Sequence, residues 1–168
     1  NNSGEDFTKP AVIICNHQSH LDLAPMLALT PKIIVLTADW VWNNPVYRFT
    51  IRNAEFLPAS SGMDAIMPQL KSLVERGYSI AIYPEGTRSM DCSIGRFRQG
   101  AFHVAQTLGI DILPVVIYGT GKALKKRGRL LRKWPVHMEI DRRITAEEMM
   151  SRGETTRRQA SQMWKFYQ

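Results

Sequence analysis

The sequence contains little cysteine and no long apolar run. Its two cysteines, Cys15 and Cys92, have a spacing that fits neither a disulfide framework nor a set of metal ligands, so we expect a reducing compartment and no metal site. Its longest apolar runs, such as residues 11–15 and 112–118, are far shorter than the ~20 residues that a helix needs to cross a bilayer. The polar residues 1–9 also lack the basic and apolar pattern of a secretory signal. We therefore expect neither a membrane-spanning helix nor a signal peptide in this sequence.

The chain has the composition of an ordinary globular protein. Hydrophobic residues make up 44% of its 168 residues and charged residues 22%, which excludes intrinsic disorder and collagen-like repeats. Its length is close to the commonest domain size and is sufficient to bury one hydrophobic core. We therefore expect residues 1–168 to form a single domain.

Strand and helix patterns alternate along the chain. Short apolar segments predict strands at residues 11–15, 33–37, 55–57, 79–83, 112–118 and 136–140. Apolar residues at helical spacing predict helices at residues 22–29, 61–76, 100–108 and 145–168. This order predicts an α/β fold with a mainly parallel or mixed central sheet flanked by helices on both faces.

Local signals add detail to three of these segments. Asp22 is placed to cap the first helix, and Thr145 with Glu148 forms a capping box for the last one. The aromatic residues between positions 40 and 49 have a spacing typical of a helix that is broken near Pro45 and packs in the core. The alternative is that they border a groove for an acyl chain.

Two polar clusters each follow a predicted strand. Residues 16–20 come directly after the first strand, and residues 84–88 follow the strand predicted at residues 79–83. In sheets of this kind, ligands bind in the loops beyond the carboxyl ends of the strands. The sequence therefore predicts a functional site where these two clusters lie.

His17 and Asp22 are the residues of the first cluster that are suited to acid–base chemistry. If His17 lies on the loop and Asp22 in the first helical turn, the carboxylate can accept a hydrogen bond from one imidazole nitrogen. The other nitrogen then becomes a general base. The alternative is that Asp22 only caps its helix and His17 is a surface residue.

The second cluster, Glu85 to Arg88, has the features of an anion site. Gly86 permits a close approach of the backbone to a ligand, Thr87 offers a hydroxyl, and Arg88 offers a planar fork suited to a phosphate. The alternative is a simple turn with a surface ion pair between Glu85 and Arg88.

Taken together, the two clusters resemble the paired signature of the glycerolipid acyltransferases, whose best-known members are the lysophosphatidic acid acyltransferases. The first part is Asn16-His17 with Asp22, and the second part is Pro84-Glu85-Gly86-Thr87-Arg88-Ser89. Later blocks of the family are matched by residues 97–105 and 113–116. The resemblance covers residues 11–120 and leaves residues 145–168 as a C-terminal helical segment.

The resemblance implies a direct acyl transfer. His17 would deprotonate the acceptor, and Asp22 would orient the imidazole. The acceptor would attack the thioester of acyl-CoA or acyl-carrier protein without an acyl-enzyme, and without a metal or other cofactor. Four residues would hold a lipid acceptor, most often 1-acyl-glycerol-3-phosphate: Glu85, Gly86, Thr87 and Arg88.

The sequence departs from the family in its second block. An arginine that contacts the acceptor phosphate in the family is replaced by Ala59, and a preceding lysine is replaced by Asp39. Arg48 or Arg52 is a candidate replacement. Two alternatives stay open: an acceptor without phosphate, such as an acylated amino acid, or a noncatalytic lipid-binding domain of the same fold.

The basic excess of the chain lies in one stretch. Seven of the 22 lysines and arginines, and no acid, lie between positions 122 and 133, which carry Lys122, Lys125, Lys126, Arg127, Arg129, Arg132 and Lys133. The stretch is either a solvated loop or a contact with an anionic membrane, an acidic carrier protein or CoA phosphates. Interleaved leucines and Trp134 favour the membrane, and no motif indicates nucleic acid. We expect a peripheral protein on the cytoplasmic face of a membrane, or a soluble domain of a longer anchored protein.

Overall fold

The chain alternates strands and helices in the predicted order. The structure is a computed structural model that describes residues 4–37, 56–58, 62–128, 130–151 and 153–168. The predictions for the aromatic segment 40–49 and for Asp39, Arg48, Arg52 and Ala59 lie outside the described residues.

The helices and strands have the following bounds. The strands are β1 (Ala11–Cys15), β2 (Ile33–Thr37), β3 (Phe56–Pro58), β4 (Ser79–Ile82), β5 (Asp111–Tyr118) and β6 (His137–Ile140). A 3-10 turn, His20–Asp22, leads into α1 (Leu23–Leu27). The later helices are α2 (Met63–Glu75), α3 (Gly100–Leu108), α4 (Thr120–Ala123), α5 (Ala146–Ser151) and α6 (Thr156–Tyr167). None of the helices within the described ranges is both long and apolar enough to cross a bilayer.

The six strands form one sheet in the order β3–β2–β4–β1–β5–β6. β1 pairs in parallel with β4 and β5, and β2 pairs in parallel with β3 and β4. β6 pairs antiparallel with β5. The prediction of a mainly parallel or mixed sheet is therefore confirmed. Because β1 and β4 are parallel neighbours, their carboxyl ends bring the two polar clusters to the same edge of the sheet.

The central strands are apolar along their whole length because both faces of the sheet are covered. Val12 and Ile14 point to one face, where they pack against side chains of α2, α3, α5 and α6. Ile13 and Cys15 point to the other face, where Met26 of α1 covers them. Helices on both faces are confirmed, with most of the helical residues in the described ranges on the first face.

The C-terminal segment differs in part from its prediction. It forms two helices instead of one, because residues 153–155, which are not helical, lie between α5 and α6, and the Thr155 hydroxyl accepts the Arg158 amide at the start of α6. The predicted capping box of α5 is present, since the Thr145 amide donates to Glu148 and the Glu148 amide donates to Thr145 Oγ1.

The basic stretch also differs from the loop that was predicted. Lys122 lies in α4, a short helix whose Thr120, Gly121 and Ala123 are buried against the 3-10 turn. The prediction failed there because the apolar contacts of this turn of helix come from residues distant in sequence. Residues 130–136, which precede β6, are exposed.

Candidate active site

The candidate site begins at the carboxyl end of β1, where Asn16 joins two strands. Its side-chain amide donates to the Ile117 carbonyl at 2.9 Å and accepts the Ile117 amide at 2.8 Å. Asn16 is buried, so these bonds satisfy both ends of its amide. They hold the start of the next loop against β5 and fix the point at which His17 leaves the sheet.

His17 and Asp22 are in direct contact. His17 Nδ1 lies 2.9 Å from Asp22 Oδ2, and the carboxylate is fully buried while 22% of the His17 side chain is exposed. With the carboxylate as acceptor, Nδ1 carries the proton and Nε2 keeps its lone pair. Buried Asp22 therefore orients the imidazole, and the exposed part of the ring is open to a substrate.

Asp22 organises the whole turn that carries His17. Its Oδ2 also accepts the amides of Gln18 at 2.7 Å and Ser19 at 2.8 Å. The Ser19 hydroxyl in turn accepts the Leu21 amide, which completes a capping box of the 3-10 turn. The prediction that the Asp22 side chain caps α1 is wrong, because the carboxylate points back toward residues 17–19.

Two aromatic neighbours shape the surroundings of His17. The Tyr83 ring stacks on the imidazole with centroids 4.1 Å apart and planes inclined by 20°. Burial raises the pKa of the Tyr83 hydroxyl, so this ring stays neutral. Burial and the nearby Arg88 lower the pKa of His20 to about 4, so His20 is uncharged at neutral pH.

The Cys15 thiol beside this site is a core group. It is fully buried, and burial raises its pKa well above the usual value. A buried neutral thiol is a poor nucleophile. The position of Cys15 in the sheet therefore agrees with its prediction as a core residue.

Glu85 joins the second cluster to the first one. Its Oε1 accepts the His17 amide at 2.7 Å, and its Oε2 accepts the Gly95 amide at 2.8 Å. The residue is buried, and this burial raises the pKa of its carboxyl. In this arrangement both carboxylate oxygens face backbone amides, so Glu85 positions the His17 loop from inside the molecule.

The turn after Glu85 is exposed and glycine-dependent. Gly86 has a φ of +70°, and a Cβ at this position would lie 3.0 Å from Cζ of Arg98. The Ser89 amide donates to the His17 carbonyl at 2.8 Å, which ties the far end of the turn to the first cluster. Thr87 lies on the exposed part of the turn, and Arg88 is partly buried beside it.

A segment that the sequence did not assign to the site contacts both clusters. Lys126 Nζ donates to Thr87 Oγ1 at 2.9 Å and to the Arg88 carbonyl at 2.6 Å. The Ser19 hydroxyl donates to the Leu124 carbonyl at 2.8 Å. The residues just after α4 therefore close one side of the candidate site.

The structure thus brings all the predicted site residues to one edge of the sheet. The contact between His17 and Asp22 is present, and Gly86, Thr87 and Arg88 lie on the adjoining turn. Sequence reasoning missed Tyr83, Ser19 and Lys126. Alternation along β4 could have placed Tyr83 on the same face as His17, whereas nothing in the local pattern marks Lys126 among its basic neighbours.

Comparisons with known proteins identify the family of the chain. A family model described as acyltransferase matches residues 2–118. The chain belongs to this acyltransferase family. The resemblance to the glycerolipid acyltransferases is therefore confirmed.

The relatives of this acyltransferase chain include named enzymes. A chloroplastic 1-acyl-sn-glycerol-3-phosphate acyltransferase of Arabidopsis thaliana is 32% identical over 120 residues, which cover 68% of this chain and 33% of that protein. The alpha 1-acyl-sn-glycerol-3-phosphate acyltransferase of Mus musculus is 31% identical over 116 residues, which cover 66% of this chain and 41% of that protein. The chain therefore spans about a third of the length of the plant relative.

A solved structure shows the same acyltransferase fold. The crystal structure of the 1-acyl-sn-glycerophosphate acyltransferase PlsC of Thermotoga maritima matches with a TM-score of 0.74 and 23% identity. The match covers 98% of this chain and 68% of that one. Residues after position 118, which lie beyond the family model, are therefore part of the shared fold.

Proposed function

We propose that the chain transfers an acyl group from a thioester, acyl-CoA or acyl-carrier protein, to a hydroxyl of a lipid acceptor. The observation that carries this proposal is the His17–Asp22 pair, with its outer nitrogen exposed, beside the cationic turn that contains Arg88. 1-Acyl-glycerol-3-phosphate is the proposed acceptor, because its hydroxyl suits the imidazole and its phosphate suits the turn. The names of the relatives support this choice.

The proposed reaction is a single acyl transfer. His17 Nε2 accepts the proton of the acceptor hydroxyl as the oxygen attacks the thioester carbonyl carbon. The new carbon–oxygen bond forms, the carbon–sulfur bond breaks, and the imidazolium returns the proton to the departing thiolate. Asp22 stabilises the imidazolium through Nδ1 while the proton resides on the ring. The step uses only the two substrates and no further cofactor or metal.

The backbone amides next to His17 are already occupied. The His17 amide donates to Glu85, and the amides of Gln18 and Ser19 both donate to Asp22. These groups therefore hold the base in place and are not available to the oxyanion of the tetrahedral intermediate.

The surface beside the site is suited to an anionic membrane. We call residues 130–136 together with Arg127 the apolar–basic surface. Leu130 and Leu131 are adjacent in the chain and 79% and 70% exposed, and neighbouring exposed apolar side chains mark contacts with a partner or a lipid. The exposed cations of this surface are Arg127, Arg132 and Lys133. Apolar side chains that insert into lipid, flanked by cations that meet anionic headgroups, are typical of peripheral membrane contacts.

The backbone holds this surface in a defined position. The Trp134 ring lies 4.9 Å from Lys122 Nζ of α4, a cation–π contact. Gly119 has a φ of +90°, and a Cβ there would lie 2.0 Å from the Pro135 carbonyl oxygen. The segment that carries Trp134 and Pro135 is thus packed directly on the end of β5. This position supports our proposal that the membrane meets the protein beside the candidate site.

The acyl transfer is tested with the whole chain and His17→Ala. Release of free thiol is measured with acyl-CoA and with acyl-carrier protein, against 1-acyl-glycerol-3-phosphate, a phosphate-free monoacylglycerol and an acylated amino acid, and the products are identified by mass spectrometry. We expect H17A to lower kcat by about 10²- to 10⁴-fold, the usual contribution of a general base.

The exposed His137 of β6 provides a matched control, and H137A should keep wild-type turnover. Circular dichroism checks that both variants are folded. A folded H17A variant with the kcat of the wild type would remove His17 as the base. Lipid binding by the wild type without thiol release from any donor would instead indicate a noncatalytic domain.

A further inference from the structure

We propose that Lys126 is a further acceptor-binding residue, whose ammonium group binds the phosphate of the acceptor together with Thr87 and Arg88. The inference rests on the proposed function only for the identity of the acceptor. The site that it describes is a phosphate-monoester site at the Gly86–Arg88 turn, with cations from two distant segments of the chain.

The contacts of Lys126 place its charge at this turn. Its Nζ lies 2.9 Å from Thr87 Oγ1 and 2.6 Å from the Arg88 carbonyl oxygen. Arg88 Nη1 donates in return to the Lys126 carbonyl at 3.2 Å. The two cations therefore exchange hydrogen bonds with each other's backbone. This arrangement holds two like charges close together.

Lys126 keeps a donor for a ligand. An ammonium group has three N–H donors, and within the described ranges Lys126 uses two of them, on Thr87 and Arg88. Thr87 Oγ1 accepts from Lys126, so its own proton is directed away from the ammonium and toward solvent. A phosphate oxygen that faces the turn can then accept from both residues.

Among the contacts of the described residues, Glu85, the acidic residue of the second cluster, does not pair with Lys126 or Arg88. The hydrogen bonds of the Glu85 carboxylate run inward to the amides of His17 and Gly95. A third cation, Arg98, approaches the same turn, with Cζ 3.0 Å from the position of a Cβ on Gly86. Lys126, Arg88 and Arg98 therefore all lie at this turn, and cationic donors of this kind suit a phosphate.

The backbone around Lys126 connects it to the proposed base. The Leu124 carbonyl accepts the hydroxyl of Ser19, whose amide binds Asp22. The Ser89 amide binds the His17 carbonyl. An anion held by Lys126 and Thr87 is thus held by elements that also contact the His17 turn, which suits an acceptor with a phosphate close to its reacting hydroxyl.

The sequence gives an independent reason for an additional cation. Position 59, where the resemblance to the family implies an arginine that contacts the acceptor phosphate, is alanine in this chain. Loss of one cation from a phosphate site lowers affinity by an order of magnitude or more. Lys126 supplies a cation to the same kind of ligand from a different part of the chain.

The test measures binding of glycerol 3-phosphate by titration calorimetry, and KM for 1-acyl-glycerol-3-phosphate and for acyl-CoA in neutral detergent micelles. We expect Lys126→Gln to weaken glycerol 3-phosphate binding and to raise the acceptor KM by about 10- to 100-fold. We expect the acyl-CoA KM to stay within about twofold of wild type. Lys126→Arg, which keeps the charge, should restore most of the affinity.

Lys125→Gln is the matched control, because Lys125 is the exposed neighbour with the same charge. It should bind glycerol 3-phosphate like the wild type. Equal weakening in K125Q and K126Q would show a general charge effect and overturn the proposal, as would unchanged binding in K126Q. A drop in kcat and thermal stability with unchanged acceptor KM would identify Lys126 as a purely structural link.

A second variant and the binding assay keep the test independent of folding and of turnover. If K126Q does not fold, Thr87→Ala leaves Lys126 in place and should weaken glycerol 3-phosphate binding at least threefold. If no thiol is released from any donor, the proposed function fails, yet the calorimetry still tests the phosphate site. Absence of glycerol 3-phosphate binding to the wild type overturns the site itself.

Discussion

At the scale of single residues, Glu85 is the clearest example of a buried positioning group. One carboxylate oxygen binds the amide of His17 and the other binds the amide of Gly95, so two loops are joined through one side chain. Burial raises the pKa of this carboxyl. As the pH falls, Glu85 therefore takes up a proton before an exposed glutamate does, and the proton occupies an oxygen that one of the amides needs.

Glu85→Gln should disturb both loops. The glutamine NH₂ group would face a backbone N–H of either His17 or Gly95, so one buried amide would lose its acceptor. We expect the free energy of unfolding to fall by about 1–3 kcal/mol, the usual cost of an unsatisfied buried donor. Because the His17 loop is held by this contact, kcat should fall as well.

Urea denaturation and turnover assays measure these two effects. Glu139→Gln on the exposed face of β6 is the control, and it should change the free energy of unfolding by less than about 0.5 kcal/mol. An E85Q variant with the stability and kcat of the wild type would show that the His17 loop does not depend on this carboxylate.

The residue scale also shows the limits of sequence reasoning at the site. His17, Asp22 and the 85–88 cluster are identifiable because their spacing and their positions after strands are local properties. Asp22 was also expected to cap α1, but its carboxylate turns back because three N–H donors converge on one of its oxygens. That convergence depends on the path of the loop, which spacing alone does not define.

At the scale of secondary structure elements, α6 is hydrogen-bonded to the strands that position the site. The Tyr167 hydroxyl accepts the Val115 amide at 3.0 Å and lies 2.9 Å from the Ile14 carbonyl oxygen. It is buried between β1 and β5, and its ring packs edge to face on Phe97 with centroids 4.9 Å apart. A helix beyond the family match therefore supports β1, the strand that leads into Asn16 and His17.

Tyr167→Phe should measure this support. The ring remains, but the buried Val115 amide loses its acceptor, so we expect the free energy of unfolding to fall by about 1–3 kcal/mol. Guanidinium denaturation monitored by circular dichroism gives the value. Tyr118→Phe, at an exposed position on β5, is the matched control and should lie within about 0.5 kcal/mol of wild type.

Equal stabilities of Y167F and the wild type would mean that water or a neighbouring group replaces the lost acceptor.

The helices and strands were largely predictable from the sequence, since α2 and α3 have clear apolar spacing and β1 and β5 are continuous apolar runs. The division of the last segment into two helices was not predicted. The Thr155 hydroxyl caps the start of α6. The sequence did not reveal this helix start, because apolar spacing continues across residues 145–168.

At the scale of the whole molecule, we propose two separate roles for the basic stretch. Lys126 turns inward to the Gly86–Arg88 turn, whereas Arg127, Arg132 and Lys133 lie on the exposed apolar–basic surface. A membrane that meets this surface would lie beside the candidate site. The acceptor could then enter the site from the lipid phase without passing through water.

The membrane proposal predicts a charge-dependent affinity for vesicles. Replacing Arg127, Arg132 and Lys133 together with glutamine should lower binding to anionic phosphatidylserine vesicles by about 100-fold, because each cation near such a surface contributes about 1 kcal/mol. Activity in neutral detergent micelles should be retained, since Lys126 is unchanged. Vesicle sedimentation at low and high salt measures the binding.

The control variant loses the same number of positive charges at exposed positions on α2 and α6, where glutamine replaces Lys71, Arg157 and Lys165. That triple glutamine variant should bind anionic vesicles nearly as well as the wild type. Equal losses in the two triple variants would show that total charge, and not the apolar–basic surface, determines membrane affinity.

The sequence by itself determined the α/β class, the order of the elements, and the identity of His17, Asp22 and the 85–88 cluster. It could do so because hydrophobic period, turn chemistry and motif spacing are properties of neighbouring residues. The tertiary structure alone decided that Glu85 faces inward, that Tyr83 stacks on His17 and that Lys126 joins the turn. Those contacts join residues far apart in the chain, and only the packing of β1, β4 and the segment after α4 brings them within hydrogen-bond distance.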